Sequence, residues 1–388
     1  MIAGGKPAHK EGGAGMQLDE FGRIRHWTAQ RQSAAWLAEQ GVILGIGDDA
    51  AVVEPLPVDG SGGWRQLMAV DTMVETVHFL PSTMTEADIG YKALAANVSD
   101  IAAMGGLPRH ALVSVSAPPA WGPERVRRMY DGLYACAERY GVAVVGGDTT
   151  SAPQHLVISV TLTGAVERDA VITRGGARPG DMMFVTGPLG LSAAGLHYLL
   201  AADPARGTSA DKVPPAADDE AAPAALIRAH RRPQPSVQAG RWLAARGTCS
   251  SLNDVSDGLA SEAWELAEAS GVRLVLESER LPRHGSLLSY AAAIGADPLE
   301  WILYGGEDYA LVGTIAAADA LAAKQELGAQ GQPFYIIGRA EAADDGPSVW
   351  LETAHPGSAA IRRKPLQRRG YNHFATPIQD ERTDRHDS

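Results

Sequence analysis

Apolar and polar positions divide this chain into short strand-like runs and longer helical stripes, joined at Gly- and Pro-rich points. Leu18, Phe21, Ile24 and Trp27 recur at helical spacing, whereas residues 1–15 show no such order. These read as a disordered extension, with Met16 close to the natural start. Strand-like runs follow at 42–46 and 67–70, the second ending at Asp71. Residues 85–104 predict a helix that opens on a capping pair, Thr85 and Asp88, and stops at Gly105-Gly106. A strand at 111–116, a helix at 126–140 and strands at 142–145 and 156–163 complete a first α/β unit.

The Gly/Pro-rich passage 174–180 marks a domain boundary, dividing the chain into 16–173 and 174–374. The second unit opens with a strand at 182–186, a turn at 187–190 and a helix from Ser192. Residues 201–225 are rich in Ala, Pro, Asp and Ser without periodicity and read as a flexible insertion. Helices at 237–246 and 259–269 and a strand at 272–276 follow. Then comes a Gly-Gly-Glu-Asp turn leading into a strand within 304–314. The polar tail, 375–388, reads as disordered.

A chain of 388 residues has room for two domains, and 45% hydrophobic with 21% charged residues is ordinary for a globular protein. Lys and Arg number 34 against 46 Asp and Glu, a net charge of −12. That balance argues against nucleic-acid or membrane-surface binding, both of which want a basic face. An acidic enzyme that handles phosphates needs cations between itself and them. Cys136 and Cys249 are the two cysteines, outside any CxxC spacing; a disulfide framework or zinc site is not expected, and a reducing cytoplasm fits. No signal-peptide pattern opens the chain, and no apolar run approaches the roughly 20 residues that span a bilayer.

The chemistry-bearing residues are aspartates at apparent strand ends or in Gly-flanked turns. They are Asp48 and Asp49 in Gly45-Ile46-Gly47-Asp48-Asp49, Asp71, Asp148 in Gly146-Gly147-Asp148-Thr149, and Asp254 and Asp257 in Asn253-Asp254-Val255-Ser256-Asp257-Gly258. Asp100 sits on the Ala-rich helix. Magnesium takes hard oxygen ligands, and adjacent glycines let backbone N–H groups reach phosphate. A lone strand-end aspartate is more often a turn or cap residue. The set as a whole supports a metal-dependent phosphate enzyme. Gly45–Ala50 also matches a GxGxxA dinucleotide pattern, but two aspartates there would oppose a pyrophosphate. Neither a Walker A loop nor the HRD–DFG pair of protein kinases is present.

These motifs, with Asp71-Thr72, His78-Phe79, Tyr91-Lys92-Ala93-Leu94, Thr173-Arg174, Gly305-Gly306-Glu307-Asp308-Tyr309 and Gly370-Tyr371-Asn372-His373-Phe374, resemble the thiamine-monophosphate kinase family from residue 17 to 374. The Asp-x-Ser-Asp-Gly and Gly-Gly-Asp elements are shared with the wider aminoimidazole ribonucleotide synthetase-like superfamily. The resemblance implies an α+β fold with an N-terminal mixed-sheet domain that dimerises and a C-terminal α/β domain. It implies Asp49, Asp71, Asp100, Asp148, Asp254 and Asp257 as magnesium ligands, several ions being bound. Gly147, Asp148, Arg174 and Ser256 would contact ATP, and His78 and Glu307 thiamine monophosphate. Asp71, Asp100 and Asp148 would hold the ions that bridge donor and acceptor phosphates during direct in-line transfer to give thiamine diphosphate.

Two positions depart from the family pattern. Ala69-Val70 precede Asp71 where a hydroxyl residue is usual. Arg368 stands where the family places an aromatic over the substrate ring, and is expected to contact the substrate there by stacking its guanidinium plane. Read from the residues alone, His78 could be a half-buried structural histidine, Glu307 and Asp308 could cap the following element, and Arg174 could be a loop cation. Lys92 and Asn97 are assigned to helix packing. The alternatives in function are another ATP-dependent synthetase of the superfamily and a non-catalytic nucleotide-binding relative.

Overall fold

The computed structural model describes residues 26–44, 46, 52–54, 63–203, 221–354 and 361–369. The expectations for the N-terminal extension, Asp48-Asp49, the middle of the insertion, the Gly370–Phe374 motif and the tail lie outside these residues. A short helix α1 (Ala34–Glu39), capped by the Ser33 hydroxyl, leads into a two-stranded ribbon of β1 (Val42–Leu44) and β2 (Val52–Val53).

The N-terminal unit is a four-stranded sheet covered on one face by two helices. Its strands are β3 (Trp64–Val74), β4 (Leu107–Ala117), β5 (Ala143–Ser151) and β6 (Val157–Glu167), in the order β3-β6-β4-β5. All neighbours are antiparallel except β4 and β5. The two helices are α2 (Glu86–Ala103) and α3 (Pro123–Tyr140). Period-2 alternation on β6 turns Ile158, Val160 and Leu162 to the helices and Ser159, Thr161 and Thr163 to the other face. That second face is uncovered and partly apolar: Met68 is 76% exposed, Val70 62% and Leu112 44%.

Helix α2 starts where the sequence predicts. Thr85 accepts from the Asp88 N–H, and Asp88 reaches back to the Thr85 N–H, closing the capping box. Fifteen of its 18 residues are buried, because it is packed by β3 and β6, by α3 and by the C-terminal unit. Backbones meet closely at the α2–α3 crossing. A Cβ on Gly90 would lie 1.9 Å from the Met129 carbonyl oxygen, and one on Gly132 would lie 1.6 Å from that of Ala87. Gly132→Ala is therefore expected to lower stability by about 2–3 kcal/mol, read as a fall in Tm. Gly328→Ala, with open space around its added methyl, is expected to leave Tm unchanged or slightly raised.

The C-terminal unit is a seven-stranded sheet of order β13-β12-β9-β11-β7-β10-β8. The strands are β7 (Met182–Val185), β8 (Cys249–Asp254), β9 (Arg273–Glu277), β10 (Leu311–Ile315), β11 (Tyr335–Glu341), β12 (Ser348–Ala354) and β13 (Ile361–Pro365), antiparallel apart from β12 on β9. One core joins the sheet to α4 (Leu191–Ala201), α5 (Ala221–Arg231), α7 (Leu259–Ser270), α8 (Gly285–Ile294) and α9 (Pro298–Tyr304). The opposite core uses α6 (Val237–Arg246) and α10 (Ala317–Ala329), and takes in Ala102 and Ala103 from the end of α2. Helix α2 thus belongs to both units.

The insertion expected over 201–225 is shorter at both ends. Ala201 closes α4, and α5 is already helical from Ala221. Ala222, Leu226 and His230, four residues apart, bury one stripe of α5. Its backbone approaches α4 so closely that a Cβ on Gly195 would lie 2.2 Å from the Leu226 oxygen.

Candidate active site

Three of the expected carboxylates meet where the two units join. Asp71 is not at a strand end: it lies inside β3 opposite Val160, on the face that α2 covers. There its carboxyl lies beside that of Asp100 of α2, close enough for the two to share a proton. Asp254 is the last residue of β8, and the neighbour of Asp100 on the helix, Ser99, donates from Oγ to Asp254 Oδ2 at 2.7 Å. Burial raises Asp71, opposed by the proton shared with Asp100 and the His78 charge. Asp100 is pushed up to about 8 by burial, then by the charges of Asp254 and Asp71. Asp254 is pushed up to about 6, chiefly by burial, despite its bond from Ser99.

Three acids held this way repel one another unless protons or a cation intervene, and their hard oxygens suit magnesium. Among the described residues no three His, Cys, Asp or Glu side chains enclose a metal position by themselves. Magnesium usually keeps waters and takes phosphate oxygens beside one or two carboxylates, so an open carboxylate cluster fits it.

Asp148 is placed differently. In register across the sheet, Asp71, Val160, Val113 and Gly147 form one row, and Thr72, Ser159, Ser114 and Asp148 the next. Paired residues share a face, so the carboxylate of Asp148 lies on the uncovered side with Thr72 and Ser114, away from Asp71. It too is inside a strand, and it is exposed beside Gly147. Of the residues that the resemblance implies as magnesium ligands, Asp71, Asp100 and Asp254 are thus brought together, while Asp148 lies on the other face of the sheet.

Beneath Asp254, Arg174 Nε donates to Asn253 Oδ1 at 3.1 Å, and Arg174 pairs with Glu265 at 3.0 Å. Its charge also acts on Asp100 and Asp254, so it is more than a loop cation. Asn253 Nδ2 donates to Glu262 Oε2 at 2.6 Å, and the Asp257 N–H donates to Glu262 Oε1 at 3.0 Å. Glu262 is 3% exposed and pushed up to about 9, first by burial and then by Asp254. It shapes the 253–257 turn that carries Ser256 and Asp257, and it was not expected from the motifs. Arg368 is joined to Glu268 at 2.9 Å and lies 3.7 Å from Glu265. It therefore shares Glu265 with Arg174.

The 305–309 loop stacks on that same turn. The Glu307 N–H donates to the Ser256 oxygen at 2.6 Å and the Tyr309 N–H to the Val255 oxygen at 2.9 Å. A Cβ on Gly306 would lie 2.4 Å from the Ser256 oxygen, so only glycine lets the loop approach. Glu307 and Tyr309 both take positive φ, 65° and 51°. Asp308 turns away and accepts from the Gly190 and Ser192 N–H groups at the start of α4, at 2.6 and 3.2 Å. Glu307 turns toward α2: Lys92 Nζ forms an ion pair with its Oε2 at 2.6 Å, and His230 Nδ1 lies 3.5 Å from the same oxygen. His78 Nδ1 accepts from the Val74 N–H at 3.0 Å, and its charge reaches Asp71. Glu307, Asp71, Asp254 and Asp100 all hold the Tyr309 phenol up, after burial. Glu307 and His78 therefore flank the carboxylate cluster.

Residues 47–166 match the family described as AIR synthase related protein, N-terminal domain, and residues 178–350 its C-terminal domain. A thiamine-monophosphate kinase of Bacillus subtilis (strain 168) is 38% identical over 357 residues, which is 92% of this chain and 100% of that protein. The chain belongs to the thiamine-monophosphate kinase family. The crystal structure of thiamine-monophosphate kinase from Stenotrophomonas maltophilia K279a matches with a TM-score of 0.70 and 32% identity, over 82% of this chain and 93% of that one. The structure of "AaThiL complexed with AMPPCP and TMP" matches at 0.67 and 33%, over 82% and 90%. The two-domain α+β architecture expected from the resemblance holds. In this thiamine-monophosphate kinase family member, Lys92 is a site neighbour and not only a packing residue. Its signal in the sequence is a charge amid Tyr91, Ala93, Leu94, Ala95 and Ala96, on a helix with no polar face.

Proposed function

We propose that this chain transfers the γ-phosphoryl group of ATP to thiamine monophosphate, giving thiamine diphosphate. The observation that carries this reading is the Asp71–Asp100–Asp254 cluster at the junction of the two units, flanked by His78 and Glu307. The acceptor is already an anionic phosphate oxygen, so the residues need supply no general base; positioning and charge neutralisation suffice. Asp71, Asp100 and Asp254 would hold magnesium, which when bound neutralises phosphate charge. Arg174 adds a fixed cation at the edge of the cluster. Gly147 and Asp148 are further proposed contacts of the nucleotide and its counter-ion, and Ser256 of a phosphate oxygen. Asp49 and Asp257 are further proposed ligands. His78 and Glu307 would contact thiamine monophosphate.

The uncovered sheet face with Met68, Val70 and Leu112 supports a homodimer through the N-terminal domains. A cytoplasmic setting agrees with the free cysteines, both of whose thiols are pushed far up by burial, and among the described residues no helix is long and apolar enough to cross a membrane.

The test is direct. Purified protein, ATP, magnesium and thiamine monophosphate are expected to yield thiamine diphosphate, and a chelator to stop it. ATP hydrolysis with no thiamine diphosphate would sink the assignment of the acceptor.

A further inference from the structure

We propose that Lys92 is a positioning residue that neutralises and orients Glu307, so that Glu307 meets the substrate as a hydrogen-bond acceptor for its aminopyrimidine and not as a counter-charge for its thiazolium. The inference rests on the reading that Glu307 contacts thiamine monophosphate.

Lys92 is 0% exposed on a helix buried nearly all round. A buried ammonium persists only beside an opposite charge, and among the described residues the one it meets is Glu307 Oε2 at 2.6 Å. The Glu307 side chain is still 29% exposed, so a ligand can reach it. Lys92 and His230 both make their nearest approach to Oε2, which leaves Oε1 as the oxygen for that ligand. The third member of the group adds no charge: burial and the Lys92 charge push His230 down to about 2, and its Nδ1 sits 3.2 Å from Ser192 Oγ.

A carboxylate paired this closely has a dipolar field that attracts a distant cation weakly, yet its second oxygen keeps its lone pairs for a short N–H contact. Orientation needs Lys92 as well. Glu307 and Tyr309 sit at positive φ, which side chains adopt only when the surroundings impose it. Asp308 anchors the loop to α4 on one side, and Lys92 draws Glu307 to α2 on the other.

The test compares the full-length protein with Lys92→Met, Glu307→Gln and the double variant. KM is measured separately for thiamine monophosphate and ATP, beside Ki for the 4-oxo analogue of thiamine monophosphate, in which a carbonyl replaces the pyrimidine amino group. Each single variant is expected to raise KM for thiamine monophosphate about tenfold, with KM for ATP unchanged. The double variant is expected to match the singles rather than multiply them. The unaltered protein should prefer the amino form, and both single variants should lose that preference.

A folded Lys92→Met protein with unchanged KM for thiamine monophosphate overturns the proposal, as does one in which both KM values rise together. Preference for the amino form that survives in Glu307→Gln overturns the acceptor role. If Lys92→Met does not fold, the double variant, with no charge left unpaired, decides: parity with Glu307→Gln supports the proposal, and a further tenfold loss overturns it. Should Glu307→Gln itself leave KM unchanged, the substrate contact fails first. If thiamine diphosphate is never formed, the functional reading fails.

Discussion

Asp100→Asn is expected to reduce thiamine diphosphate formation about a thousandfold while making the magnesium-free protein more stable. The two effects have one cause. Asp100 is crowded by Asp71, whose carboxyl lies beside its own, and by the charge of Asp254, in a partly buried corner. Without a cation the cluster repels itself, and a neutral amide of the same shape relieves that while still able to donate to Asp71. The magnesium-free variant should melt about 3 °C higher than the unaltered protein, and the rise in Tm that magnesium gives should shrink. Thermal denaturation with and without chelator, beside the product assay, reads both. A variant that is less stable without magnesium would mean that Asp100 serves the fold rather than the ion.

Gly147→Ala should be nearly as damaging through backbone geometry alone. An added Cβ would sit 1.9 Å from the Val113 carbonyl oxygen, inside the parallel β4–β5 ladder, and neither strand can move without breaking it. The expected cost is about 3 kcal/mol of stability and a loss of activity of about a hundredfold, carried by a raised KM for ATP as Asp148 shifts. Gly146→Ala is the control. Its Cβ would meet only the Leu112 Cδ2 at 3.0 Å, a side-chain end that can turn aside, so its effect should be several-fold smaller. Equal damage at both positions would count against a specific role for the Gly147 backbone.

Local signals in the sequence carried much of this. Thr85, Asp88 and Gly105 bound α2 as their chemistry requires, because capping is decided within one turn. The motif aspartates were visible as a set, but their grouping was not. Asp71 looked like a strand end because a hydroxyl residue follows it, and Asp148 like a turn because two glycines precede it, whereas the sheet runs on through Val74 and Ser151. Which face each occupies depends on register across four strands, which no local pattern encodes. Lys92 was assigned to packing because its partner, Glu307, is in the other unit. Helix α5 was hidden by an Ala- and Pro-rich composition that resembles a linker, its stripe of Ala222, Leu226 and His230 holding a single large apolar side chain.

Lys92 and Asp100 are eight residues apart on one rigid helix, a rise of about 12 Å. The helix therefore acts as a ruler. One mark orients the group proposed to read the base of the substrate, and the other sits in the cluster proposed to gather its phosphates. A molecule too short to touch both marks, such as unphosphorylated thiamine, could occupy the first and leave the second empty. Selection for chain length then needs no dedicated gate, only a helix that does not bend.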